Sequence, residues 1–103
     1  MILDRLFRMI GLLTSLLIVN YTNNMRFETT VYKPENSKEL LIKVLRFDTE
    51  EYFDYMQVDT DGKSLLYSGR LEPYNIMTNS SVRITFTSDM TTTYEGIELE
   101  VYA

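Results

Sequence analysis

The last quarter of the chain alternates. Val82, Ile84 and Phe86 are separated by Arg83, Thr85 and Thr87, and Ile97, Leu99 and Val101 by Glu98, Glu100 and Tyr102. Successive side chains of a strand point to opposite faces, so each segment offers one apolar face to a core and the other to water. A helix, with about 3.6 residues per turn, would scatter the same residues around its surface. Upstream, Phe27 to Tyr32 is rich in β-branched and aromatic residues, and Lys33-Pro34-Glu35-Asn36-Ser37 reads as a turn. Residues 39–47 place Leu40, Ile42 and Val44 on one face and Leu41, Leu45 and Phe47 on the other. That pattern predicts a central strand covered, or nearly covered, on both sides. Phe53 to Val58 and Lys63 to Ser68 are further short strands around Asp59-Thr60-Asp61-Gly62, a strong turn signal; Gly69 and Pro73 mark loops. Short strands punctuated by turns, with no amphipathic helix between them, predict an all-β sandwich or barrel.

The beginning of the chain differs. Arg5 and Arg8 precede an uncharged apolar run from Met9 to Val19. A short basic region before an apolar run of about 7–15 residues is the pattern of a secretory signal peptide. The run is shorter than the ~20 residues that span a bilayer. Residues 1–19 are therefore expected to be an apolar helix that serves as a signal or membrane-targeting segment. A retained membrane anchor and a first element of the fold are the alternatives. The domain proper is expected over residues 20–103, and 103 residues leave room for one domain.

Composition narrows the chemistry. The chain has no Cys and no His. That removes zinc fingers, thiol nucleophiles, Ser-His-Asp catalysis and disulfides together. Any bound metal must be held by oxygen, which selects a hard cation such as calcium or magnesium. Fifteen Asp and Glu against ten Lys and Arg give a net charge of −5, which argues against binding nucleic acid.

Three carboxylates lie in loops at strand ends: Glu50, Asp54 and Asp89. Around them, Phe47-Asp48-Thr49-Glu50, then Phe53-Asp54-Tyr55-Met56-Gln57-Val58 and Asp61-Gly62, resemble the central signature of CUB domains. Phe86-Thr87-Ser88-Asp89, Gly96 and the final strand to Ala103 are similar to that family's C-terminal end. Asn20-Tyr21-Thr22-Asn23-Asn24-Met25 is similar to its entry segment. The resemblance covers Asn20 to Ala103. It implies a jelly-roll-like sandwich of two antiparallel sheets, found in secreted and extracellular proteins, that recognises a protein or glycan ligand. It further implies a calcium ion at one end of the sandwich, held by Glu50, Asp54 and Asp89. Backbone oxygen near Met90 or Thr91 and the side chain of Thr92 would complete the shell.

That chemistry is sound by itself. Calcium takes about six to eight oxygen ligands, with two or three carboxylates supplying the charge. Converging carboxylates without a cation would repel, and a cation would fix the loops for a partner's Lys or Arg. The other reading is three unrelated, solvated loop acids among fifteen. The sequence departs from the family pattern in three ways. The Glu50–Asp54 interval is short, which opens Glu51 or Asp48 as substitutes. Thr92 stands where many such sites offer Asn. Phe27, Phe53 (or the residues just before it) and Leu71 stand where the family commonly has Cys. Asp59-Thr60-Asp61-Gly62 begins like an EF-hand but lacks the downstream Glu, so the hairpin turn is the better reading.

Asn20-Tyr21-Thr22 and Asn79-Ser80-Ser81 are N-glycosylation sequons, usable only in a secretory pathway. Tyr52, Tyr55, Tyr74 and Tyr94 lie in or beside the carboxylate loops, and Tyr suits binding surfaces. Three functions follow in order of preference. The first is a secreted, non-catalytic module that binds a protein, or a glycan, at a calcium-organised rim. The second is a metal-free structural or interaction domain, attached to a membrane only if residues 1–19 are kept. The third is a glycoside hydrolase using paired carboxylates, disfavoured because so small a sandwich supplies no deep pocket.

Overall fold

The computed structural model describes residues 11–19, 23–89 and 95–103. They form nine strands: β1 (Leu12–Val19), β2 (Arg26–Val31), β3 (Leu40–Asp48), β4 (Tyr55–Thr60), β5 (Lys63–Tyr67), β6 (Arg70–Leu71), β7 (Tyr74–Thr78), β8 (Val82–Thr87) and β9 (Gly96–Tyr102). One antiparallel sheet runs β1-β9-β3, with β6 and β7 both pairing the far side of β3; the other runs β2-β8-β4-β5. The architecture is the all-β, two-sheet antiparallel sandwich that the sequence implies. No helix among the described residues is long and apolar enough to cross a membrane.

The alternation works as expected in β8 and β9. Val82, Ile84 and Phe86 meet Ile97, Leu99 and Val101 between the layers, each at most 1% exposed. Met56, Val58, Leu40, Ile42 and Val44 complete the centre. Burying a side chain of this size contributes about 1.5–3 kcal/mol, so this inter-sheet layer holds the sandwich together. At the β4–β5 hairpin, Asp61 and Gly62 take φ values of 53° and 71°. Two left-handed residues between Thr60 and Lys63, which pair, make the two-residue turn whose twist matches its strands.

β3 is central, but its outer face is not covered. Leu45 is 37% exposed there, beside half-buried Leu41 and Lys43. Phe47, expected on that same face, instead enters the core and is 2% exposed. A β-bulge causes the change: Val44 pairs Leu99 while Arg46 pairs Glu98, so the β3–β9 register shifts by one residue. One extra residue inverts the facing of everything after it.

The apolar run near the N-terminus is a strand over Leu12–Val19, not a helix. It pairs antiparallel with β9 from Leu12↔Tyr102 to Val19↔Gly96. Ile18 is 6% exposed and Leu16 packs on the core, whereas Leu17 is 59% exposed. The physical reason is the edge of β9, whose backbone groups need partners and which β1 supplies along its length. Residues 1–10 lie outside the described residues. Gly69 and Pro73 lie between strands as expected, and two strands the sequence does not mark, β6 and β7, flank that proline.

Candidate metal centre

Thr49 is the pivot of the rim. It is 1% exposed, directly after β3. Its backbone N–H donates to Gly69 O at 2.9 Å. Its hydroxyl accepts from Gly69 N at 3.0 Å and donates to Asp54 O at 3.1 Å. One side chain thus ties the exit of β3, the approach to β4 and the β5–β6 turn. Sequence reading did not single it out, since a Thr before an acidic turn carries no distinguishing signal.

The chain then reverses within five residues. Glu50 O accepts from Phe53 N at 3.3 Å and from Asp54 N at 3.0 Å. Tyr52 sits in the left-handed region at φ 68°, an uncommon conformation for an aromatic residue. Its N–H donates to Ser68 Oγ at 3.2 Å and its carbonyl accepts from Tyr55 OH at 2.8 Å. This tight turn places Glu50 and Asp54 side by side, so the short interval brings them together instead of separating them.

The third carboxylate arrives from the neighbouring strand. β8 pairs with β4, with Thr87 opposite Tyr55, so two residues later Asp89 stands beside Asp54. Asp89 N donates to Asp54 Oδ1 at 2.9 Å. The segment before β2 fastens it from outside. Asn24 N donates to Asp89 O at 2.7 Å, Ser88 N to Met25 O at 2.9 Å and Met25 N to Ser88 Oγ at 2.8 Å.

Asp54 is fully buried, Glu50 and Asp89 are half-buried, and one carboxylate oxygen from each lies within 4.8 Å of the others. Calcium–oxygen distances of about 2.3–2.6 Å let two ligands of one ion stand up to roughly 5 Å apart. The spacing therefore fits a single calcium ion, and an all-oxygen donor set suits a hard cation. Asp48 and Glu51, the alternatives to Glu50, lie outside this group of three. Asp48 is buried and ion-paired with Arg70 at 3.4 Å, while Glu51 is exposed beside Gly69.

Other expected residues distribute as follows. Thr92, Met90, Thr91, Tyr94 and Asn20 lie outside the described residues. Asn79 is exposed just after β7. Phe53, expected to begin a strand, is instead in the tight turn, 59% exposed, because β4 starts only at Tyr55. Tyr52 beside it is 72% exposed, and the neighbouring Glu51 holds its phenol above the ordinary tyrosine pKa. Phe27 and Leu71, at the other positions where Cys is common, pack against the core.

The class these features define is a two-layer antiparallel sandwich with a carboxylate rim at one end. Within that class the chain has a CUB-like fold. It is similar to the MASP-1 CUB2 domain in a crystal structure of that domain bound to Ca2+, with 24% identity over 81% of each chain and a TM-score of 0.72. No protein-family model matches the sequence, and no curated protein matches it.

Proposed function

We propose that this chain is an extracellular, non-catalytic recognition module that holds calcium through Glu50, Asp54 and Asp89 and binds a protein ligand at that rim. The observation that supports it is the meeting of three carboxylates from three separate segments within 4.8 Å of one another. The MASP-1 CUB2 domain, of the same fold, is a calcium-bound protein. The ion would supply positive charge that offsets the three acids and joins the turns after β3, before β4 and after β8. Thr92 would add a side-chain oxygen. The acids' remaining negative potential would draw a Lys or Arg of the partner, while Tyr52 and Phe53 offer apolar surface beside it. A glycan ligand would use the same aromatic surface, and secretion would open Asn79, and Asn20, to glycosylation.

Thermal unfolding against calcium concentration tests the reading. At a calcium concentration about a hundredfold above Kd, binding to the folded state alone adds about 2.7 kcal/mol, and Asp54→Ala and Asp89→Ala each abolish the gain. A melting temperature that does not move in millimolar calcium would leave a metal-free interaction domain as the function.

A further inference from the structure

We propose that the outer edge of β1 is a self-association surface, where two copies of this chain pair antiparallel and join their sheets. β1 is the terminal strand of its sheet, and among the described residues only β9 pairs with it. A terminal strand presents unpaired N–H and C=O groups along its free side, and proteins normally blunt such edges with charge, proline or short length. The other edges here are blunted. β2 carries Arg26 and Glu28, β5 begins with Lys63, β6 has two residues, and Pro73 interrupts the run into β7. β1 has eight residues, none charged and none proline. Its one irregularity, a register shift between Leu12 and Thr14, lies at its beginning.

A second copy fits better than a foreign strand because the sequence is self-complementary. About a twofold axis through Ser15, Leu17 of one copy faces Leu13 of the other and Thr14 faces Leu16. Leu13 and Leu17 are 40% and 59% exposed in the single chain. The two Ser15 residues meet, and cross-strand serine and apolar pairs are favourable contacts. The net charge of −5 does not oppose this. Glu100, opposite Ser15 on β9, would stand three strand spacings, about 14 Å, from its counterpart, beyond the ~8 Å screening length at physiological salt. The symmetry has a consequence. Antiparallel pairing reverses one sandwich relative to the other, so the two carboxylate rims face opposite directions and the dimer is a bridge between two ligands.

Sedimentation velocity of the full chain over a concentration series, with Leu17→Lys as the variant, tests the proposal. The expected result is a monomer–dimer equilibrium that the variant weakens by at least about tenfold, with unchanged melting at low concentration because Leu17 is exposed. The chain has no Cys, so a single Ser15→Cys substitution gives a second reading: it should form an intermolecular disulfide under mild oxidation far faster than Thr30→Cys on β2. A monomer at every concentration, or a dimer indifferent to Leu17→Lys with equal cross-linking at both positions, would overturn the proposal. Both measurements are made in chelator, so their outcome is independent of calcium at the rim.

Discussion

The two ends of the sandwich close the gap between the sheets by opposite means. At the end away from the rim, neutral groups do it. Thr60 and Thr78 hydroxyls bond at 2.7 Å, Thr60 also donates to Ser81 O at 3.0 Å, and Ser81 Oγ accepts from Lys33 N at 2.8 Å. At the rim, Thr49 does a similar task, but beside it three carboxylates crowd within 4.8 Å. Two unit charges at that distance repel by on the order of 3 kcal/mol at an effective dielectric of about 20. The far end shows that this fold can close a sandwich end with hydroxyl and backbone hydrogen bonds. At the rim the same task is done beside three acids, whose mutual repulsion the proposed calcium ion would offset.

The largest effect should come from changing one rim charge without changing its hydrogen bond. Asp54→Asn keeps an oxygen for Asp89 N while removing the charge from a fully buried position. In chelator the variant should melt at or above the wild type, because two repulsive pairs are gone. In calcium the order should invert: the wild type gains about 2.7 kcal/mol at a hundredfold excess over Kd, and the variant gains nothing. For a domain of this size each kcal/mol moves the midpoint by about 4–8 °C, so the crossing is readily measured by calorimetry. A variant that melts lower than wild type in chelator yet still responds to calcium would mean that the two ends differ only in decoration.

The far end should respond with one sign under all conditions. Thr78 is 6% exposed, and its hydroxyl serves both Thr60 and, at 3.2 Å, Ser80 N. Thr78→Val keeps the shape and leaves both partners short of a bond, so the expected loss is about 1–3 kcal/mol. Denaturant unfolding should give the same loss in calcium and in chelator. A loss that depends on calcium would show that the ends are coupled through the core.

How much of this the sequence discloses depends on whether the deciding interaction is local. β8 and β9 are legible because each residue's facing follows from its parity, and the β4–β5 turn because Asp61-Gly62 suits left-handed backbone. β3 is legible as a central strand, but not its bulge: nothing in Leu45-Arg46 marks the extra residue that sends Phe47 inward. β1 is not legible as a strand, because an uncharged run after two arginines has the composition of a targeting helix and its pairing partner β9 lies at the other end of the chain. β6 and β7 hide around Pro73, which breaks the period between two short pairings with β3. At the rim, the three acids stand out through their resemblance to a known pattern. The tight turn that joins Glu50 to Asp54, the buried hydroxyl of Thr49 and the exposure of Phe53 depend on contacts with Gly69 and Ser68, far along the chain.

Asp59 offers the smallest test and the sharpest control, since it is an acid near the far end whose neighbours all complement it. Its carboxylate accepts from Ser64 Oγ, from Gln57 Nε2 at 2.9 Å and 3.1 Å, and from Arg83 Nη2 at 3.3 Å. Those bonds, Ser64 first, then Gln57 and Arg83, hold its pKa below the ordinary carboxyl value. A carboxyl depressed by folding stabilises the folded state above its unfolded pKa, and the contribution disappears as pH falls through the lower, folded value. Asp59→Asn should therefore cost less than about 1 kcal/mol at neutral pH, as exposed pairs do, and the gap between variant and wild type should narrow in the acid range below pH ~4. Because hydroxyl and amide donors outrank Arg83 here, added salt should shrink the gap only in part, whereas calcium should leave it unchanged. An Asp59→Asn penalty that grew on acidification, or that followed calcium, would place this acid with the rim and remove the distinction between the two ends.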